Sequence, residues 1–178
     1  MWDEGFKYEN RFLITLDLKH PKQNIMMTGL LHIHSLLRYL ILFFLVITII
    51  KSFSGWFGKK QYLPGDKKMS LFTLITAHLQ LVLGLVLYFI SPNVQAGLAN
   101  MGEAMKNPTL RFWAVEHISM MIIAIILITL GFSLAKRGKD DTAKHKRTAL
   151  FFLLALIVIF AAIPWPWSAV ARGWMPGM

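Results

Sequence analysis

Long apolar runs with no polar face dominate the pattern. Four of them reach the roughly 20 residues that a membrane-crossing helix needs. They run from about Thr28 to Ile50, Ser70 to Ile90, Leu110 to Ala135 and Thr148 to Trp165. A soluble helix of that length shows polar residues on one side at helical period. The run LFFLLALIVIFAAI in the fourth stretch shows none. Breakers separate the runs: Gly55, Gly58, Pro64 and Gly65, then Ser91-Pro92-Asn93, then Pro108, then Gly138 with Asp140 and Asp141, and finally Pro164 and Pro166. The pattern predicts an all-α transmembrane four-helix bundle over residues 28–178, preceded by a tail, residues 1–27.

That tail begins MWDEGF and lacks the apolar centre of a secretory signal. Two readings of it stand: a mis-called start, with translation beginning at Met26 or Met27, or a genuine outer tail that contains a short segment from Phe12 to Leu18.

Charge adds orientation. The chain of 178 residues carries 19 Lys+Arg against 9 Asp+Glu, and the cations cluster. Lys51, Lys59, Lys60, Lys67 and Lys68 surround the first connection. Lys136, Arg137, Lys139, Lys144, Lys146 and Arg147 surround the third, and Lys106 alone lies in the second. Basic connections stay in the cytoplasm. Both termini are therefore expected on the outer side, which is the periplasmic side if the membrane is the bacterial one that the resemblance given below implies. The basic side is expected to attract anionic membrane lipid. No basic face interleaved with stacking aromatics supports a nucleic-acid partner. Trp165, Trp167 and Trp174, with Trp113, fit an aromatic belt at the outer interface. With no cysteine, thiol chemistry, disulfides and covalent c-type haem are excluded.

Ionisable residues inside a span are costly and mark candidate sites. They are His32, His34 and Arg38 in the first span, His78 in the second, and Glu116 and His117 in the third. At about 1.5 Å per residue, His34 and His117 both lie roughly 9–10 Å below the outer ends of their helices. His78 lies roughly 12 Å from the opposite face. His32 and His34 point to nearly opposite sides of their helix, and Arg38 continues the His34 face. His34 is thus expected inside and His32 at the rim. Arg38 and Glu116 form a candidate intramembrane ion pair. His145, in a Lys/Arg cluster, reads as a solvated loop residue.

Imidazoles on different helices of a bundle can hold haem iron. The candidate ligands are His117 with His34 or His78, and Arg38, Arg111 and His32 are candidate partners for the propionates. A second haem on His78 and His145 is not expected, because their depths differ by roughly 10 Å or more. Each histidine also has a plainer reading, as polar glue between helices.

The stretches LHIHSLLRYLILFFLVI, LFTLITAHLQLVLGLVLYFISP, LRFWAVEHISMMIIAIILITLG and AAIPWPW resemble a family of small bacterial membrane proteins called cytochrome b. The resemblance covers about Gly29 to Trp174. It implies a four-helix inner-membrane protein binding b-type haem through histidines. The matching positions are His32 and His34 with Arg38, then His78, then Glu116 and His117. The function expected is electron transfer, with quinone and the subunits of a respiratory assembly as partners. The alternatives are a haem-free accessory or assembly subunit and a haem-using membrane oxidoreductase.

Overall fold

The computed structural model describes residues 21–170 and 173. The expectations about the tail before residue 21, and about Trp174, lie outside the described residues. Within them the chain is all-helical. Four helices are long and apolar enough to cross a membrane. α1 spans Pro21–Phe57 and α2 spans Pro64–Ile90. Three short helices follow: α3 (Pro92–Ala99), α4 (Met101–Lys106) and α5 (Pro108–Arg111). A π-helical turn over Phe112–Glu116 then runs directly into α6 (His117–Lys136), and α7 spans Asp141–Ala162.

The long helices form an antiparallel ring in which each packs on its chain neighbour and α7 closes back on α1. The facing residues recur mostly at spacings of three and four. On α1 they are Ile41, Leu45, Thr48, Ser52 and Gly55, and on α2 they are Ser70, Thr73, Ala77 and Leu87. Leu45, Ile128, Phe152 and Ala155 are fully buried at the centre. Large apolar side chains such as Phe43, Phe72, Val82, Ile126 and Ile157 are exposed around the perimeter. That is the distribution expected where the surroundings are themselves apolar.

Buried hydroxyls gather toward the end of the bundle that carries the two basic connections. Each bonds locally, since a polar group with no partner in an apolar setting costs several kcal/mol, about 4–8 for transfer to a non-bonding solvent. Ser70, Thr73 and Thr148 bond the carbonyls of Asp66, Met69 and Lys144, each four residues back. Thr48 and Thr73 also meet across the α1–α2 seam at 3.1 Å. Lys51 pairs with Asp66 at 3.0 Å, and the Arg147 guanidinium donates to the Leu134 carbonyl near the end of α6.

The helices begin earlier than the sequence expectation, α1 at Pro21, α2 at Pro64 and α7 at Asp141, and three further differences bear on the packing. α1 runs on to Phe57, so Gly55 lies inside a helix rather than breaking it. Its missing side chain admits the His145 ring, which a β-carbon there would overlap. His145 is therefore not a solvated loop residue: it is 2 % exposed, and Tyr62 meets its ring edge-on at 4.9 Å. The second connection is helical instead of loop. Asn107 caps α5 by accepting the Thr109 and Leu110 amides, ahead of Pro108 at the first helical position. The fourth span ends at Ala162 rather than Trp165.

Gly131 lies where α6 and α7 touch. A β-carbon there would come within 2.7 Å of Phe151 Cβ and 3.0 Å of the Phe152 ring. Gly131→Ala is expected to lower stability by about 1–2 kcal/mol, overpacking outweighing the helix-propensity gain. Gly65→Ala, with nothing within 4 Å of its β-carbon, is the control expected to unfold at or above the wild-type temperature. Thermal unfolding in one detergent compares the two.

Candidate functional site

At the end of the bundle where α1 begins and α7 stops, the helices part around a cavity of about 320 Å³. His34, Ser35 and Arg38 face it from α1, and Gln80, Gly84 and Tyr88 from α2. Trp113 enters from the π-turn, and His117 and Met121 from α6. Ile41, Ala77, Ala124, Ile125 and Ile159 line its apolar part. Pro92, Asn93 and Val94 of α3 complete the wall, so the helical connection absent from the sequence reading is part of the site.

The two prolines that end α7 set up one side of the cavity. In an α-helix the carbonyl of residue i accepts from the amide of residue i+4. Residues 164 and 166 are prolines and have no amide hydrogen. The carbonyls of Phe160 and Ala162 therefore cannot be paired along their own helix. Both find other donors. The Trp165 indole donates to Phe160 O at 2.9 Å. His117 Nδ1, from the neighbouring helix, bonds Ala162 O at 2.9 Å. A carbonyl only accepts, so Nδ1 carries the proton and Nε2 is the lone-pair nitrogen of the neutral ring. This is the tautomer of a metal-ligating histidine oriented by a backbone carbonyl. Phe112 and Trp113 flank the ring, each with its centroid 5.7 Å away.

The opposite wall is held by backbone contact. Gln80 Nε2 donates to the His34 carbonyl at 2.9 Å, which fixes α1 against α2 at the level of the cavity. Gly84 lies beside the His34 imidazole, and a β-carbon there would come within 3.3 Å of Cε1. Arg38 donates to the Tyr39 hydroxyl at 3.0 Å and rests over that ring. It is half-buried, and its side chain is the cationic one that lines the cavity.

The π-turn accounts for a pairing that α-helical spacing hides. Residues five apart in an α-helix point about 140° away from each other. The wider turn brings Arg111 and Glu116 together, with Nε to Oε1 at 2.6 Å. Glu116 thus pairs with Arg111, not with Arg38 as expected. Neither Arg111 nor Glu116 lines the cavity. The signal was present in the sequence as opposite charges at a five-residue interval, which reads as a pair only if a π-turn is assumed. The Tyr88 hydroxyl donates to the Ala114 carbonyl inside this turn at 2.8 Å. Gly97 of α3 packs so closely that a β-carbon there would lie 2.8 Å from Ala114 Cβ.

The structure brings His34, Arg38 and His117 to one cavity and leaves the remaining candidates outside it. His78, expected as an alternative ligand, is exposed on the outer surface of α2. Its Nδ1 donates to the Leu74 carbonyl one turn back, at 2.8 Å, so its polarity is satisfied on its own helix. The face turned inward is that of Gln80 and Gly84. His32 is also exposed and does not line the cavity. Trp165 stacks on Trp167 with centroids 5.2 Å apart, beyond the α7 stop. Among the described residues, no group of three or more His, Asp or Glu could hold a metal ion by itself.

Pro166→Ala is expected to restore an amide that competes for Ala162 O. The ¹⁵N spectrum of the His117 ring should then shift from a single Nδ1-protonated tautomer in the wild type to a mixture in the variant. An Nε2-protonated wild-type ring would contradict the geometry.

No family model matches this chain, and no curated protein or solved structure is significantly similar to it.

Proposed function

We propose that this multi-pass membrane protein is a b-type cytochrome, holding one haem in the cavity between His34 and His117 and passing electrons at the outer face of a bacterial inner membrane. The observation that carries the reading is the convergence of two histidines from non-adjacent helices on one largely apolar cavity. One of those rings has its Nδ1–H anchored to a backbone carbonyl. The cavity volume falls in the range of small-molecule and cofactor sites, about 300–1,000 Å³.

The residues suit the group in three respects. His34 and His117 are the side chains that would hold the iron. Ile41, Ala77, Ala124 and Ile125 offer an apolar wall for a macrocycle. Arg38 would offer a guanidinium to its carboxylates, a pairing that charge-assisted hydrogen bonds make strong. Bound haem would supply one-electron redox chemistry. The protein's own contribution is to orient the two rings, keep water from the apolar wall and set a positive charge beside the site.

The positive-inside rule supports a cytoplasmic location for the opposite end of the bundle, which carries the basic connections. The cavity then opens toward the outer leaflet, within reach of the quinone pool and of an outer partner in a respiratory assembly. A haem-free accessory subunit is the competing reading. It assigns the same histidines to helix packing alone.

A pyridine haemochrome assay on the detergent-extracted full chain separates the two. One b-type haem per chain is expected, with His34→Ala and His117→Ala each losing it and His78→Ala keeping it. An absence of haem after expression in a haem-replete host would overturn the proposal. So would retention of the wild-type spectrum in both cavity variants.

A further inference from the structure

At the end of the bundle opposite the cavity, a groove of about 490 Å³ lies between the first connection, α6 and α7. Three lysines reach it from three different helices: Lys67 of α2, Lys136 of α6 and Lys144 of α7. Its other walls include Leu63, Pro64 and Phe132, which are apolar. Leu63 is 56 % exposed, an unusual position for leucine in a connection rich in lysine.

The charge balance is specific. Lys144 is paired with Asp141 at 2.8 Å, so that carboxylate offsets one cation. Lys136 rests over the Phe132 ring, 4.3 Å from its centroid. Two net positive charges remain, those of Lys67 and Lys136, on either side of an apolar floor. An acidic protein segment or a nucleic acid would use the lysines and leave the floor unused. A free inorganic anion would do the same. An amphiphile with an anionic head and a hydrocarbon body uses both. The groove is also at the right depth for one. It lies where the apolar spans give way to charged connections, with Phe132 one turn inside the last lysine of α6.

We propose that this groove is a binding site for an anionic phospholipid, its phosphate between Lys67 and Lys136 and the start of its acyl chains against Leu63 and Phe132. A lipid seated there would join α2, α6 and α7 at the end where the helices are held by short connections. The proposal is independent of the haem reading, because it concerns the other end of the bundle and none of the cavity residues.

Each lysine facing a net-anionic headgroup contributes about fivefold in affinity, and the choline cation of a zwitterionic lipid cancels that gain, so two lysines give a preference of about 25-fold. The test uses the full chain, delipidated in detergent and then offered phosphatidylglycerol or phosphatidylcholine, with bound lipid counted by native mass spectrometry. One phosphatidylglycerol per chain is expected, preferred by about 25-fold over phosphatidylcholine. Lys67→Gln/Lys136→Gln should bring the two lipids near parity, while Lys59→Gln/Lys60→Gln, equal in charge lost but outside the groove, should keep the preference. Equal retention of both lipids by the wild type would overturn the proposal, a result that needs no variant to fold. An equal loss in the Lys59/Lys60 control would also overturn it, since net charge and not the groove would then be responsible. Displacement of the lipid by inorganic phosphate at matched ionic strength would mark a bare anion site and count against it as well.

Discussion

Inside a bilayer a backbone carbonyl finds no water, so each must be paired within the protein. The Pro-Trp-Pro stop of α7 creates two carbonyls that their own helix cannot pair. The Trp165 indole takes one and the His117 imidazole takes the other. A helix end thereby becomes the orienting element for a histidine on the next helix. The tautomer of that ring, its lean toward the cavity and its place between Phe112 and Trp113 follow from this one requirement.

The same rule explains how the remaining polar residues are tolerated. The hydroxyls of Ser70 and Thr73 on α2 and of Thr148 on α7 return to their own helices, and His78 does likewise at the surface of α2. Gln80 instead crosses to the His34 carbonyl, and Tyr88 crosses to Ala114. Bonds made back to the same helix let a polar residue be neutral in the architecture. Bonds made across helices locate one helix against another, and both of these crossings lie beside the cavity.

The four spans were legible because each is a long, mostly apolar run of the length that crosses a bilayer. The inward placement of His34 followed from Arg38 one turn away. The outward placement of His78 did not follow from a rule that ionisable residues avoid lipid, because its ring is satisfied four residues back. The burial of His145 was hidden by its neighbours Lys144, Lys146 and Arg147. Successive residues on a helix point about 100° apart, and the slot that admits the ring is made by Gly55, 90 positions earlier. The π-turn escaped because spacing arguments assume a constant 3.6 residues per turn. The short helices of the second connection were missed because Ser91-Pro92-Asn93 reads as a stop, when proline at a first helical position is equally a start.

Ile41 and Ala77 line the floor of the cavity, and with Leu45 they are buried in the apolar core that separates it from the hydroxyl-rich half of the bundle. Along the α1–α2 seam Thr48 and Thr73 lie on one side of it and Gln80 on the other, while Thr76, buried beside Ala77, keeps its hydroxyl on the Phe72 and Thr73 carbonyls of its own helix. His34, Arg38, Gln80, Tyr88 and His117, polar side chains that line the cavity, are therefore gathered on one side of that apolar floor, and the hydroxyls of the other half are gathered on the far side of it.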